Sequence, residues 1–152
     1  MRRAVVAALA AAMLLAGCGE QPLAATRTAG ADGRQIDVLV DQAALAAVGT
    51  DVERFLATRP GRITWGGGTA DDIATTIEHG YRISVVVLPS GPALERVRDE
   101  LVAPPVRLGT RGSTTYWACA VDQFGLPFVR FLTGRGSRQL LREHGFDVSP
   151  QA

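Results

Sequence analysis

The sequence predicts an α/β domain: a single three-layer unit with a mainly parallel sheet and helices on both faces. Three observations lead there. Between residues 36 and 102, short β-rich apolar runs alternate with helical stripes, strand then helix, three times over. The third β-rich run, residues 83–88, is almost continuously apolar, as a strand buried on both faces requires. The foldable segment, residues 35–149, is about 115 residues long, enough for one core.

The first strand is expected at residues 36–40. Asp41 stands where it can cap the following helix, in which Ala44, Leu45, Val48, Val52, Phe55 and Leu56 recur at helical spacing, with Gly49 as a weak point. Arg59, Pro60 and Gly61 break that helix. Residues 63–65 form the second strand, and Gly66, Gly67 and Gly68 turn the chain into a helix that ends near Gly80. Thr69 with Asp72 three residues on marks its start as a capping box, and Ile73, Ala74 and Ile77 form its buried face.

After the central strand at 83–88, Pro89, Ser90, Gly91 and Pro92 turn the chain. Ser90 is a potential cap, and Pro92 suits a first helical turn. Leu94, Val97, Leu101 and Val102 give a helical stripe that stops before Pro104 and Pro105. Residues 106–109 form a short strand and 116–121 a better one. Helices are expected over 126–132 and 137–144, separated by Gly134 and closed by Gly145. No internal repeat is evident.

The first residues do not belong to this pattern. Arg2 and Arg3 precede an uninterrupted apolar run, residues 4–15, and Leu15, Ala16, Gly17 and Cys18 follow. A dozen apolar residues fall short of the ~20 that span a bilayer core, so the run reads as a signal h-region. The order resembles a bacterial lipoprotein signal, which implies cleavage before Cys18 and lipidation of its sulfur. Residues 1–17 are then a signal peptide and residues 18–34, rich in Gly, Ala and Thr, a lipidated flexible tether. The expected location is the extracytoplasmic face of a cell membrane, held by the lipid anchor.

Composition narrows the function. Without residues 1–17 the chain carries 14 basic and 15 acidic groups, so it lacks the basic footprint of a nucleic-acid binder. With Cys18 lipidated, Cys119 is the only thiol left and no internal disulfide is possible; its place in an apolar strand reads as an inert core thiol. His79 and His144 stand far apart, with no ligand-like spacing around either, so no metal is expected. No nucleophile–base spacing and no Gly-x-Ser-x-Gly elbow is present, so neither catalytic residues nor a cofactor is assigned.

Several segments together resemble the molybdate-type periplasmic substrate-binding proteins of ABC importers. The best match is the end of the chain: Phe128, Val129, Arg130, Phe131, Leu132 and Thr133, then Leu140 through Gly145 and Phe146, where His144 replaces the family's usual aromatic. Residues 73–80 follow a Gly-rich loop as in the family, and residues 36–55 match its first strand and helix. The resemblance implies one lobe of a type II periplasmic-binding protein. The second lobe is missing between roughly Leu101 and Tyr116. It also implies transport partners: an ABC permease, a small oxyanion ligand, and self-association as one way to rebuild a cleft.

Two places are candidates for ligand contact. Asp41 and Gln42 sit at the strand-end crevice where open α/β sheets bind ligands, although Asp41 is equally a helix cap. Gly68, Thr69 and Ala70 open the second helix, where free N–H groups and the helix dipole favour an anion. By the resemblance, the family's two oxyanion-binding serines fall at Ala43 and Ala70, and Asp71 and Asp72 add negative charge beside the second. Arg107, Arg111, Ser113, Thr114 and Thr115 form a polar connection that is either solvated or anion-holding. Trp65 and Trp117 read as packing residues. The open alternative is a degenerate single lobe that acts as an interaction module and binds no small molecule.

Overall fold

The computed structural model describes residues 35–59 and 61–150. The signal segment, Cys18 and the tether lie outside the described residues. The elements run β1 (Gln35–Asp41), α1 (Leu45–Thr58), β2 (Arg62–Gly68), α2 (Ala70–Glu78), β3 (Val85–Pro89), α3 (Pro92–Val97), β4 (Val106–Arg111), β5 (Thr114–Ala120), α4 (Leu126–Leu132) and α5 (Arg135–Glu143). Single 3-10 turns precede α1 and α4 and follow α3. Among the described residues, no helix is long and apolar enough to cross a membrane.

The five strands form one sheet in the order β2-β1-β3-β5-β4. Pairing is parallel from β2 through β1 to β3, then antiparallel from β3 to β5 and from β5 to β4. The sheet is therefore mixed, where the alternating pattern had suggested a mainly parallel one. The reason lies in the segment between residues 101 and 116. It holds β4 and a tight hairpin turn at Gly112 (φ 61°), and a hairpin returns antiparallel. The outer edge of β4 is covered by the tail: Thr110 and Asp147 exchange backbone hydrogen bonds at 2.8 and 2.7 Å.

The crossovers from β1 to β2 and from β2 to β3 run in opposite directions across the sheet, so right-handed connection places α1 on one face and α2 on the other. The first face gathers Val38, Val40, Val85, Val87, Tyr116 and Ala118 beneath α1, α4 and α5. The second gathers Leu39, Val86, Leu88 and Cys119 beneath α2 and α3. Alternation of side chains along β1, β3 and β5 supplies both layers, and Val86 at the middle of the sheet is wholly buried. Leu141 of α5 is wholly buried on the first face, while Leu140 is half-buried.

Some boundaries differ from expectation. Gly66, Gly67 and Gly68 are not a loop; they extend β2 and pair with Leu39, Val40 and Asp41. A Cβ on Gly67 would come 2.6 Å from a Leu45 methyl, so a larger residue there must push the Leu45 side chain aside. Gly49 is similar: a Cβ would meet the Trp65 ring at 2.5 Å. α3 stops at Val97, and Val102, expected on its stripe, is exposed. Ser90 does not cap α3. Gly91 is the N-cap, and the Ser90 hydroxyl accepts from Trp117 Nε1 at 2.7 Å.

One polar cluster is buried under the first face. Asp51 of α1 is fully buried; its Oδ1 accepts from Ser137 Oγ at 2.9 Å and from Arg54 Nη1 at 3.0 Å. Ser137 thereby ties α5 to α1. Burial pushes the Asp51 carboxyl above its ordinary range, against the opposing pull of Ser137 and Arg54.

Candidate functional site

The strand order puts a switch point between β1 and β3, because the loop after β1 leads to one face and the loop after β3 to the other. Open α/β sheets bind ligands in such a crevice, at the carboxyl ends of the strands. Here it is bordered by Asp41 and Gln42 after β1 and by Ser90 and Gly91 after β3. The start of β5 lies alongside, since Tyr116 pairs with Pro89 and the Ser90 N–H donates to the Thr115 carbonyl at 2.8 Å. The hairpin between β4 and β5 brings Arg111 to the same end, where its guanidinium donates to the Ala43 carbonyl.

The sequence-predicted residues are thus split. Asp41 and Gln42 lie in the crevice. Gly68, Thr69 and Ala70 lie beyond β1, at the end of β2, with Gly68 directly opposite Asp41 in the ladder. Gly68 belongs to a strand and does not line an anion-cradling loop. Thr69 is the N-cap of α2 and its hydroxyl is engaged twice, accepting from the Asp72 N–H at 3.2 Å and donating to Asp72 Oδ2 at 2.7 Å. Ala70, half-buried, packs against the second-face core. Asp41 behaves likewise as a cap, its Oδ1 accepting from the Ala43 N–H at 3.1 Å. Thr69 thus serves the start of α2 and Asp41 the 3-10 turn Gln42–Ala44, while α1 itself follows Ala44 without a side-chain cap.

The electrostatics are mixed. Asp71 and Asp72 stand exposed in the first turn of α2, and Arg96 reaches across from α3 to Asp71 at 3.4 Å and to Glu78 at 2.6 Å. Arg111 is the crevice's cation and Asp41 its carboxylate. Between their influences stands Tyr116: burial and the Asp41 charge raise its phenol, and Arg111 pulls it down. The Tyr116 ring meets Phe146 edge to face at 5.6 Å, and the Arg111 guanidinium lies 5.8 Å over the same Phe146 ring. What the crevice offers is one guanidinium, one carboxylate, one serine and one amide, beside the buried Tyr116.

Arg111 was legible as part of a polar connection; Tyr116 and Ser90 were not singled out as site residues. The overlooked signal was Gly112-Ser113 between two β-rich runs, a hairpin turn that returns Arg111 and Tyr116 to the strand ends. Of the other residues in that connection, Arg107 donates to the Ser149 carbonyl at 2.6 Å and to Thr110 Oγ1 at 2.8 Å, and Thr110 and Thr115 hydroxyls lie 3.2 Å apart. Those contacts fasten the tail and the hairpin. Among the described residues, no group of three or more His, Cys, Asp and Glu is placed to hold a metal ion. Cys119 is fully buried, and burial pushes its thiol up to about 12.

Known structures share this architecture. The chain matches, with a TM-score of 0.66, a solved structure from Clostridium difficile described as the substrate binding domain assigned to a molybdenum ABC transporter. The likeness is one of fold, and it resembles one lobe of a periplasmic binding protein. The match spans 76% of this chain and 99% of that one at 10% sequence identity. The match thus takes in nearly all of the neighbouring structure. No protein-family model matches the chain, and no curated protein matches it at a significant level.

Proposed function

We propose that this chain is a lipid-anchored, extracytoplasmic substrate-binding component of an oxyanion ABC importer, built on one lobe. The observation that carries the reading is the likeness of the whole described domain to a structure described as a substrate binding domain. The switch-point crevice gives the reading a place: Arg111 would supply the charge-assisted hydrogen bonds, with Ser90, Gln42 and Tyr116 around it. Molybdate is the ligand class carried over from the neighbour's description and from the sequence resemblance. Cys18 would hold the protein at the membrane, and an ABC permease would be its partner.

One wall sets the affinity. A two-lobed receptor closes around its anion and removes it from water; a single wall leaves half the anion solvated, and Asp41 repels it. We expect a Kd for molybdate no better than about millimolar for the monomer, corresponding to roughly −4 kcal/mol. If a second copy supplies the missing wall, affinity will rise with protein concentration. Calorimetric titration with molybdate, tungstate and sulfate at two protein concentrations tests this. Micromolar, stoichiometric binding by a demonstrated monomer would overturn the one-wall reasoning.

A second reading is favoured by a specific observation. Asp41 caps the 3-10 turn before α1, and Thr69 with Asp72 caps α2, leaving no free hydroxyl on Thr69. Under that reading the lobe is an interaction module with no small-molecule ligand. The absence of heat with all three anions at both concentrations selects it.

A further inference from the structure

A second concavity lies at the pole opposite the crevice, at the amino ends of β1 and β2. It is a groove of about 430 Å³, within the ordinary range for ligand sites. Ile36 and Ile63 line it from the two strands, and Phe55 lies buried against it from α1. Leu56 and Phe124 stand at its edges, 37% and 41% exposed, although both are large apolar side chains. Among the described residues its lining carries two arginines, Arg59 and Arg62, and no carboxylate. The Arg59 guanidinium rests over the Phe55 ring at 5.2 Å, which keeps the charge at the margin of the apolar surface.

We propose that this groove is a membrane-contact site that takes an acyl chain of an anionic lipid. An apolar trough with cationic residues around it matches an acyl chain below an anionic headgroup. Position supports the same occupant. The chain enters the domain at Gln35, next to the groove residue Ile36. The 17 residue steps from Cys18 to Gln35 reach at most ~60 Å when extended. An anchor at Cys18 therefore keeps this pole within tether reach of the bilayer. A second copy fits less well, because an isologous pairing of this patch brings arginines of like charge together. This proximity rests on the anchored reading of Cys18; the lipid preference of the groove does not.

The test uses the chain from residue 19 onward, which lacks Cys18 and its lipid and retains the whole described domain. It is sedimented with vesicles of phosphatidylcholine alone and of phosphatidylcholine with one-third phosphatidylglycerol. We expect binding to the anionic vesicles only, weakened by salt. Arg59→Glu and Phe124→Ser should each lower partitioning by about tenfold. Both positions are exposed, and thermal unfolding establishes that the variants fold; Leu56→Ser replaces Phe124→Ser if that variant does not. Equal partitioning onto both vesicle types, or no loss in the variants, overturns the proposal. So does a concentration-dependent dimer abolished by Phe124→Ser, which would assign the groove to a second copy. None of these readouts involves molybdate or lipidation, so the proposal fails or stands apart from the transport reading.

Discussion

Gly125 is the position where a single methyl group should do most damage. It closes the 3-10 turn before α4 (Gln123–Gly125), directly against the backbone entering β3. A Cβ there would fall within 3.0 Å of the Ser84 carbonyl carbon and oxygen and of a Val85 methyl. Ser84 cannot yield. Its N–H donates to the Asp37 carbonyl at 2.8 Å, its carbonyl accepts from the Val121 N–H at 2.9 Å, and its hydroxyl donates to Asp122 Oδ2 at 3.0 Å. The turn must therefore move outward, which strains the Asp122 cap on the Gly125 N–H, now 3.0 Å. Overpacking costs ~1–3 kcal/mol and a lost cap ~1, so Gly125→Ala should destabilise by about 3 kcal/mol. At a urea slope of ~2 kcal/mol/M the midpoint falls by about 1.5 M. Gly112→Ala is the control: its φ is 61° but nothing lies within 4 Å of the added carbon, so only left-handed strain of ~1–2 kcal/mol applies. A Gly125→Ala protein within about 0.5 kcal/mol of the parent, or less affected than Gly112→Ala, would refute this account.

Other outcomes follow from the same structure. Asp51→Asn should gain stability relative to the parent as pH rises. The native carboxyl is raised above 3.8, so its contribution is fully present below that value and is lost as pH climbs through the native one; urea midpoints at several pH values that differ by a constant amount would argue against it. Thr69→Ala should cost ~1 kcal/mol by removing the α2 cap, measured by the same unfolding, with little change in any anion titration because that hydroxyl is already engaged. Cys119 should resist alkylation in the native protein and react once urea unfolds it; rapid native labelling would contradict its burial. Under the anchored reading, Cys18→Ala should leave the chain unprocessed or release it from membranes, and membrane fractionation of a fully processed mutant would count against the anchor.

The sequence by itself determined the elements and the layers. Periodicity in residues 44–56 and 73–77 gave two amphipathic helices, and the apolar run at 83–88 gave the middle of the sheet, because these patterns follow from local geometry and from burial alone. It also located the cap of α2: Thr69 acts as its side chain predicts, while Asp41 caps the 3-10 turn ahead of α1 rather than α1 itself. Tertiary structure decided the rest. Gly66, Gly67 and Gly68 read locally as a loop, yet pairing with β1 and the press of Leu45 draw them into a strand. The direction of β5 was invisible to a period-2 pattern, which is the same for parallel and antiparallel neighbours. That direction brings Arg111 and Tyr116 to the crevice beside Ser90 at the end of β3, while Thr69 lies beyond β1 at the end of β2. The groove at the opposite pole joins Ile36, Phe55, Ile63 and Phe124 from four separate stretches of chain. No local pattern announces such a surface, because only folding brings its parts together.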